Sequence, residues 1–231
     1  MKRTLATVLL GWILLAAPAR GTTRTWDGGG GNNNASTPAN WVGDTAPSPG
    51  DDIVLDTTTN KNMTWDAGAP SSVGSWTQAG YAGTITVATV YGSTGFTNLE
   101  ITGNAVVSNG VWTHLTNGLS ETSRVRVTVG GNFVLGAGGA VSADAKGYRY
   151  SFGPGWSGTD RSGASYGGKG GYGLGATYGS YASPTNLGSG GGWWDGEGGG
   201  AIWLTVASNS ALDGVISADG ESSIGNSGGS G

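Results

Sequence analysis

The sequence predicts an all-β repeat protein: the first coils of a β-solenoid, with an N-terminal cap and a glycine-rich excursion. Short Val/Ile/Thr runs recur between turn residues, as in Thr84–Val87, Leu99–Ile101 and Val125–Val129, and these residue types favour pleated strands. One unit is written twice. Val127-Thr128-Val129 leads to Val141-Ser142-Ala143-Asp144 and a glycine-rich stretch, and Leu204-Thr205-Val206 leads to Ile216-Ser217-Ala218-Asp219 and another. After the N-terminal leader no segment sustains a helical period with caps. Units whose strands cannot bury their own faces must stack on neighbours; a sandwich with long loops is the other arrangement that such a pattern allows.

Along the chain, residues 1–19 combine Lys2 and Arg3, an apolar run from Leu5 to Leu15 and Ala17-Pro18-Ala19. This is the make-up of a secretory signal peptide, and the run is short of the roughly 20 residues that span a bilayer. An extracellular or cell-surface destination follows, with no transmembrane segment once the leader is removed. Residues 20–72 read as a cap region, rich in turn residues until Ile53-Val54-Leu55, with Trp26 and Trp41 covering the end of the core. A repeat stack needs such a cap because an open strand edge invites aggregation.

Residues 73–146 hold the coils, including Ala105-Val106-Val107 and the run Val111 to Leu115. Residues 147–200 form the excursion, where Gly and Ser alternate with Tyr148, Tyr150, Trp156, Tyr166, Tyr172, Tyr178, Tyr181, Trp193 and Trp194. So many aromatics do not suit a linker and predict a compact lobe beside the coils. Residues 201–231 read as a further coil and the start of a second, truncated excursion, so a fragment of a longer protein is expected.

Composition narrows the function. Lys plus Arg number 11 against 15 acids, a formal charge of −4 that becomes more negative when Lys2 and Arg3 leave with the leader. A nucleic-acid partner, which requires a basic face, is not expected. Without cysteine there are no disulfides, thiolate metal sites or cysteine nucleophiles. Glycine, at 48 residues, is about three times the usual ~7%. Ten Trp and eight Tyr with only 11% charged residues separate the chain from disordered, charge-rich sequences.

Three blocks together carry a resemblance. They are Trp26-Asp27 with its glycine and asparagine run through Asn40-Trp41 and Gly50-Asp51-Asp52, then Val127-Thr128-Val129-Gly130-Gly131-Asn132, then Ser165 to Gly171. As a set the chain resembles large exported bacterial repeat proteins, similar to autotransporter-type passengers and polymorphic outer-membrane proteins. The resemblance implies a right-handed parallel β-helix at the cell surface or released from it, and that broad β-helix family includes pectin-type lyases and glycosidases. No C-terminal membrane barrel or sorting segment accompanies it here.

Nothing in the residues convincingly marks an enzyme. Gly168 to Gly173 matches G-x-G-x-x-G but no helix pattern follows to complete a dinucleotide site. His114, the single histidine, shares a strand face with Trp112 opposite Val111, Thr113 and Leu115, and reads as a solvent-side residue rather than a catalytic or zinc-binding one. Asp144 and Asp219 occupy matched places and would neighbour each other in stacked coils. That spacing approaches a glycosidase carboxylate pair; turn chemistry is the better reading, with calcium ligation as a further use of such oxygen donors.

Trp193-Trp194-Asp195-Gly196-Glu197 is the candidate ligand-binding cluster: Trp193 and Trp194 to stack on sugars, Asp195 and Glu197 to accept hydroxyl hydrogen bonds. Pinning the lobe to the coils is the competing use of those indoles and of the six tyrosines. The expected function is structural or adhesive, with surface glycans or surface proteins as partners and no cofactor. The alternative is a carbohydrate-binding or pectin-lyase-like protein, which a cluster of Arg126, Asp144 and Asp219 in one groove would favour.

Overall fold

The computed structural model describes residues 21–88, 91–92, 95–96, 99–159, 161–172, 175–182, 184–192, 196–222 and 228–231. The leader, Arg20, Trp193, Trp194, Asp195 and residues 223–227 lie outside them.

Alternating apolar and polar residues produce short strands with one buried face. In chain order they are β1 (Thr23–Thr25), β2 (Asp52–Leu55), β3 (Met63–Trp65), β4 (Ser72–Val73), β5 (Trp76–Gln78), β6 (Thr84–Val87), β7 (Tyr91–Gly92), β8 (Gly95–Phe96), β9 (Leu99–Ile101), β10 (Ala105–Thr113), β11 (Val125–Val129), β12 (Phe133–Ser142), β13 (Ile202–Val206), β14 (Ser210–Leu212) and β15 (Val215–Ser217). A single 3-10 turn, Pro38–Asn40, is the only helical element among the described residues. The chain is all-β.

Every pairing between these strands is parallel except that of the two-residue strands β7 and β8. The four-stranded sheet runs β13-β11-β9-β4 and the nine-stranded sheet β1-β2-β5-β10-β12-β14, with β3, β6 and β15 joined to it laterally. Registers repeat from layer to layer. Val73 pairs with Ile101, Ile101 with Val129 and Val129 with Val206. On the other sheet Trp76 pairs with Ala105, Ala105 with Phe133 and Phe133 with Ser210. The two written units are therefore direct neighbours, since Val127 pairs with Leu204 and Ser142 with Ser217.

The buried side of each column forms one core. Trp65, Trp76, Trp112 and Phe133 follow one another at centroid separations of 5.2, 5.5 and 6.0 Å, the three indoles edge to face, an arrangement aromatic quadrupoles favour. Gln78 is fully buried among them. Its Oε1 accepts Trp112 Nε1–H at 2.9 Å, and its Nε2 donates to Asn109 O at 2.6 Å. One buried amide thus satisfies polar atoms whose desolvation would otherwise destabilise the core.

At the N-terminal end the chain folds over itself. Trp26 and Trp41 form an antiparallel bridge, are fully buried and meet edge to face at 5.3 Å. Their indoles donate to Lys61 O and Ala35 O at 3.0 and 2.7 Å. Gly28 adopts φ +66°, which brings its carbonyl within 2.7 Å of Lys61 Nζ and which a side chain would strain. The cap region also contributes strands: β2, at the apolar run Ile53-Val54-Leu55, pairs with β5, and β3 with β6.

Candidate functional site

Side chains between the sheets bind backbone of the adjoining layer. Asn132 N–H donates to Asn104 Oδ1 at 2.8 Å, and Asn209 N–H to Asn132 Oδ1 at 3.2 Å. Asn60, Asn62 and Asn109 accept the amides of Ala82, Thr84 and Gly80 in the same manner. Stacked asparagines of this kind tie identical positions of successive strands together.

Asp144 belongs to the same class. Its Oδ1 accepts Asp219 N–H at 2.8 Å, and its Oδ2 accepts the hydroxyls of Ser217 and Ser142 at 2.7 and 2.9 Å. Desolvation pushes the carboxyl up, but these bonds together hold it below its ordinary value. A carboxylate committed to three donors fits a calcium ligand poorly, and among the described residues no three His, Asp or Glu side chains converge on a metal-sized site. Arg126 lies on the other sheet, its guanidinium 5.2 Å from the Trp203 ring. Of the Arg126, Asp144 and Asp219 grouping that would favour a pectin-lyase-like protein, Asp144 and Asp219 meet through the Asp219 amide, while Arg126 belongs to the other sheet.

The solvent-side assignment of His114 requires correction. Alternation along the strand does give two faces, but the inside is that of Trp112 and His114, each 1% exposed, while Leu115 is 51% exposed. Trp112 has the volume to span the core between Trp76 and Phe133, and it takes His114 inward with it. His114 Nε2 accepts Ala201 N–H at 3.2 Å, which leaves the proton on Nδ1 to be donated to Leu115 O at 2.7 Å. Desolvation lowers its pKa to about 4. His114 therefore anchors the point where the chain returns from the excursion to β13.

The excursion is held by backbone. Gly147 N–H donates to Gly198 O, Gly198 N–H to Tyr148 O, Gly188 N–H to Gly199 O and Gly199 N–H to Ser230 O, at 2.6 to 2.8 Å. A Cβ on Gly188, Gly190 or Gly199 would overlap the carbonyl oxygen of Ser230, Arg149 or Ala218. Glycine here permits close approach of main chains, not flexibility. Tyr166 and Tyr178 stack edge to face at 5.0 Å. Tyr178 donates to Leu187 O and accepts from Ser189 Oγ, and desolvation pushes its pKa up to about 12. These two tyrosines pin the lobe, whereas Tyr150, Tyr172 and Tyr181 are 40%, 77% and 89% exposed.

Of the candidate cluster, Glu197 is half-buried and its carbonyl accepts Glu221 N–H at 2.8 Å; Trp193, Trp194 and Asp195 lie outside the described residues. The stretch matching G-x-G-x-x-G begins in a turn, where Tyr166 N–H donates to Gly168 O and Gly170 N–H to Ser165 Oγ; Gly173 is outside the described residues. Sequence reasoning passed over a cleft of about 760 Å³ between the lobe and the β13 and β15 edges, lined by Tyr166, Lys169, Tyr181, Asn186, Ile202 and Ile216. No single motif marks it, because its walls come from segments far apart in sequence. The chain matches no protein-family model, no curated protein and no solved structure.

Proposed function

We propose that the chain is a secreted or cell-surface structural and adhesive segment, built as a right-handed parallel β-solenoid and non-catalytic. The observation that carries this reading is the use made of its polar side chains. Asn104, Asn132 and Asp144 bind backbone of adjoining layers, which strengthens stacking and leaves those groups engaged. The leader sequence and the resemblance to autotransporter-type passengers support the surface location.

Glycan contact by the lobe is the second reading, favoured by the exposure of Tyr172 and Tyr181, since a tyrosine ring in solvent offers a face for a sugar. A glycan array probed with the purified mature chain, with and without calcium, tests both. Selective binding lost in Tyr172→Ala/Tyr181→Ala or Trp193→Ala/Trp194→Ala establishes recognition by the lobe. Absence of binding by a chain with a β-type circular dichroism spectrum supports the scaffold. Polysaccharide cleavage that depends on Asp144 contradicts the non-catalytic reading.

A further inference from the structure

The glycine-rich stretch that follows the second written unit returns to the lobe formed by the stretch that follows the first. Within it, residues 228–231 lie against the lobe backbone. Ser230 grips the Ser189 main chain twice: its N–H donates to Ser189 O at 2.9 Å, and its Oγ accepts Ser189 N–H at 2.8 Å. Ser230 O accepts Gly199 N–H at 2.7 Å, and Gly228 O accepts Ala164 N–H at 3.1 Å. Ser189 is fully buried, whereas Gly228, Gly229 and Ser230 are half-buried. The segment is a strap laid over hydrogen-bonding groups that belong to the lobe.

We infer that the lobe carries a peptide-binding site selective for a Gly-Ser segment, and that residues 228–231 fill it in cis as a releasable latch between successive glycine-rich stretches. Main-chain hydrogen bonds supply the binding and close steric fit supplies the selectivity, as in other sites that take up an extended peptide. A Cβ on Gly229 would lie 2.0 Å from Glu197 O, and one on Gly188 of the lobe 1.9 Å from Ser230 O, while one on Gly228 meets nothing nearer than 3.4 Å. The site therefore demands glycine at 229 and tolerates a side chain at 228. Serine at 230 is read through its hydroxyl, which is the acceptor for the buried Ser189 amide. No apolar side chain anchors residues 228–231. A few hydrogen bonds of modest net worth hold them, so the strap detaches in a local opening that leaves the stacked coils intact.

Hydrogen exchange of the mature chain, read by NMR at the Ser189, Gly199 and Ala164 amides, tests this. Gly229→Ala is expected to accelerate exchange at all three at least about tenfold while the coil amides keep their protection. Gly228→Ala leaves all three unchanged. Ser230→Ala removes only the hydroxyl and accelerates Ser189, so it decides the matter where Gly229→Ala fails to fold. A free peptide with the sequence of residues 220–231, titrated into the Gly229→Ala chain, restores protection saturably. The same peptide carrying Gly229→Ala does not. Unchanged exchange in Gly229→Ala and Ser230→Ala overturns the proposal, as does an equal effect of Gly228→Ala. Lost protection that neither peptide restores makes the strap fixed packing rather than the occupant of a site, and restoration by both peptides removes the selectivity; either result also overturns it.

Discussion

Asp144 Oδ1 accepts the backbone N–H of Asp219 at 2.8 Å across 75 residues of sequence. The matched acids of the two written units therefore meet in one rung, the Asp144 carboxylate accepting from the Asp219 main chain. Asp144→Ala is expected to cost about 1 kcal/mol, a hydrogen-bond loss moderated by solvent exposure. Urea denaturation of the purified variant measures it, and the β-type spectrum is retained.

Asp51 takes part in a stronger version of the same device. It is 5% exposed and accepts Thr22 N–H, Ser48 N–H and Arg24 Nε–H at 2.8 to 3.0 Å. Desolvation pushes its pKa up, but the Ser48 amide, Arg24 and the Thr22 amide together hold it below 3.8. A carboxyl whose folded pKa is depressed contributes stability that is complete above its unfolded pKa and disappears as pH falls through the folded value. Asp51→Ala costs roughly 2–4 kcal/mol at neutral pH. In denaturation curves taken across the acid range, the gap from wild type closes only below pH 3.8.

His114 acts in a different window. Its folded pKa of about 4 lies below the ordinary 6.5, so between those values the unfolded chain binds a proton that the folded chain does not. Stability falls as pH drops through that interval, by up to about 3 kcal/mol. His114→Gln flattens the dependence between pH 6.5 and about 4 while lowering stability at pH 7. Thermal melts across that range read both effects.

Gln78 holds the tryptophan column. Gln78→Leu leaves the Trp112 indole N–H without the acceptor it has at 2.9 Å and the Asn109 carbonyl without its donor at 2.6 Å. The buried indole orphan costs about 1–3 kcal/mol and the carbonyl of the exposed Asn109 less. Combining Gln78→Leu with Trp112→Phe, which removes the indole N–H, recovers part of that loss in a double-mutant cycle.

The lobe glycines divide by environment. Gly188→Ala and Gly199→Ala force a Cβ onto a carbonyl oxygen, whereas Gly168→Ala meets nothing within 4 Å. The first two expose the amides of 147–148 and 198–199 to rapid hydrogen exchange and the third does not. Equal protection in all three variants contradicts the close-packed backbone described above.

Much of the strand series was legible because one buried face forces strict alternation, as in Val125–Val129 and Thr84–Val87. β5 was hidden because Gln78, a polar residue, occupies a core position that only the indole beside it explains. Alternation around Trp112 separated two faces but not inside from outside, since Val111 and Leu115 are apolar and still face outward. In the lobe the aromatics announced compactness. The pairing of Gly147 with Gly198 and of Gly199 with Ser230 left no periodic trace, because glycine has no side chain to repeat. The cleft was equally silent, its walls being assembled from the lobe and from β13 and β15.

Successive layers stack in one parallel register, and the absence of native cysteine makes that register directly testable. Glu100 pairs with Thr128, and Thr128 with Thr205, all pointing away from the core. Partners in adjacent strands lie about 4.8 Å apart, within disulfide reach, while residues two layers apart do not. Under mild oxidation, Glu100→Cys/Thr128→Cys and Thr128→Cys/Thr205→Cys are expected to cross-link within one chain, and Glu100→Cys/Thr205→Cys to stay reduced. Cross-linking of the last pair, or failure of either of the first two in a folded chain, contradicts the stacked register.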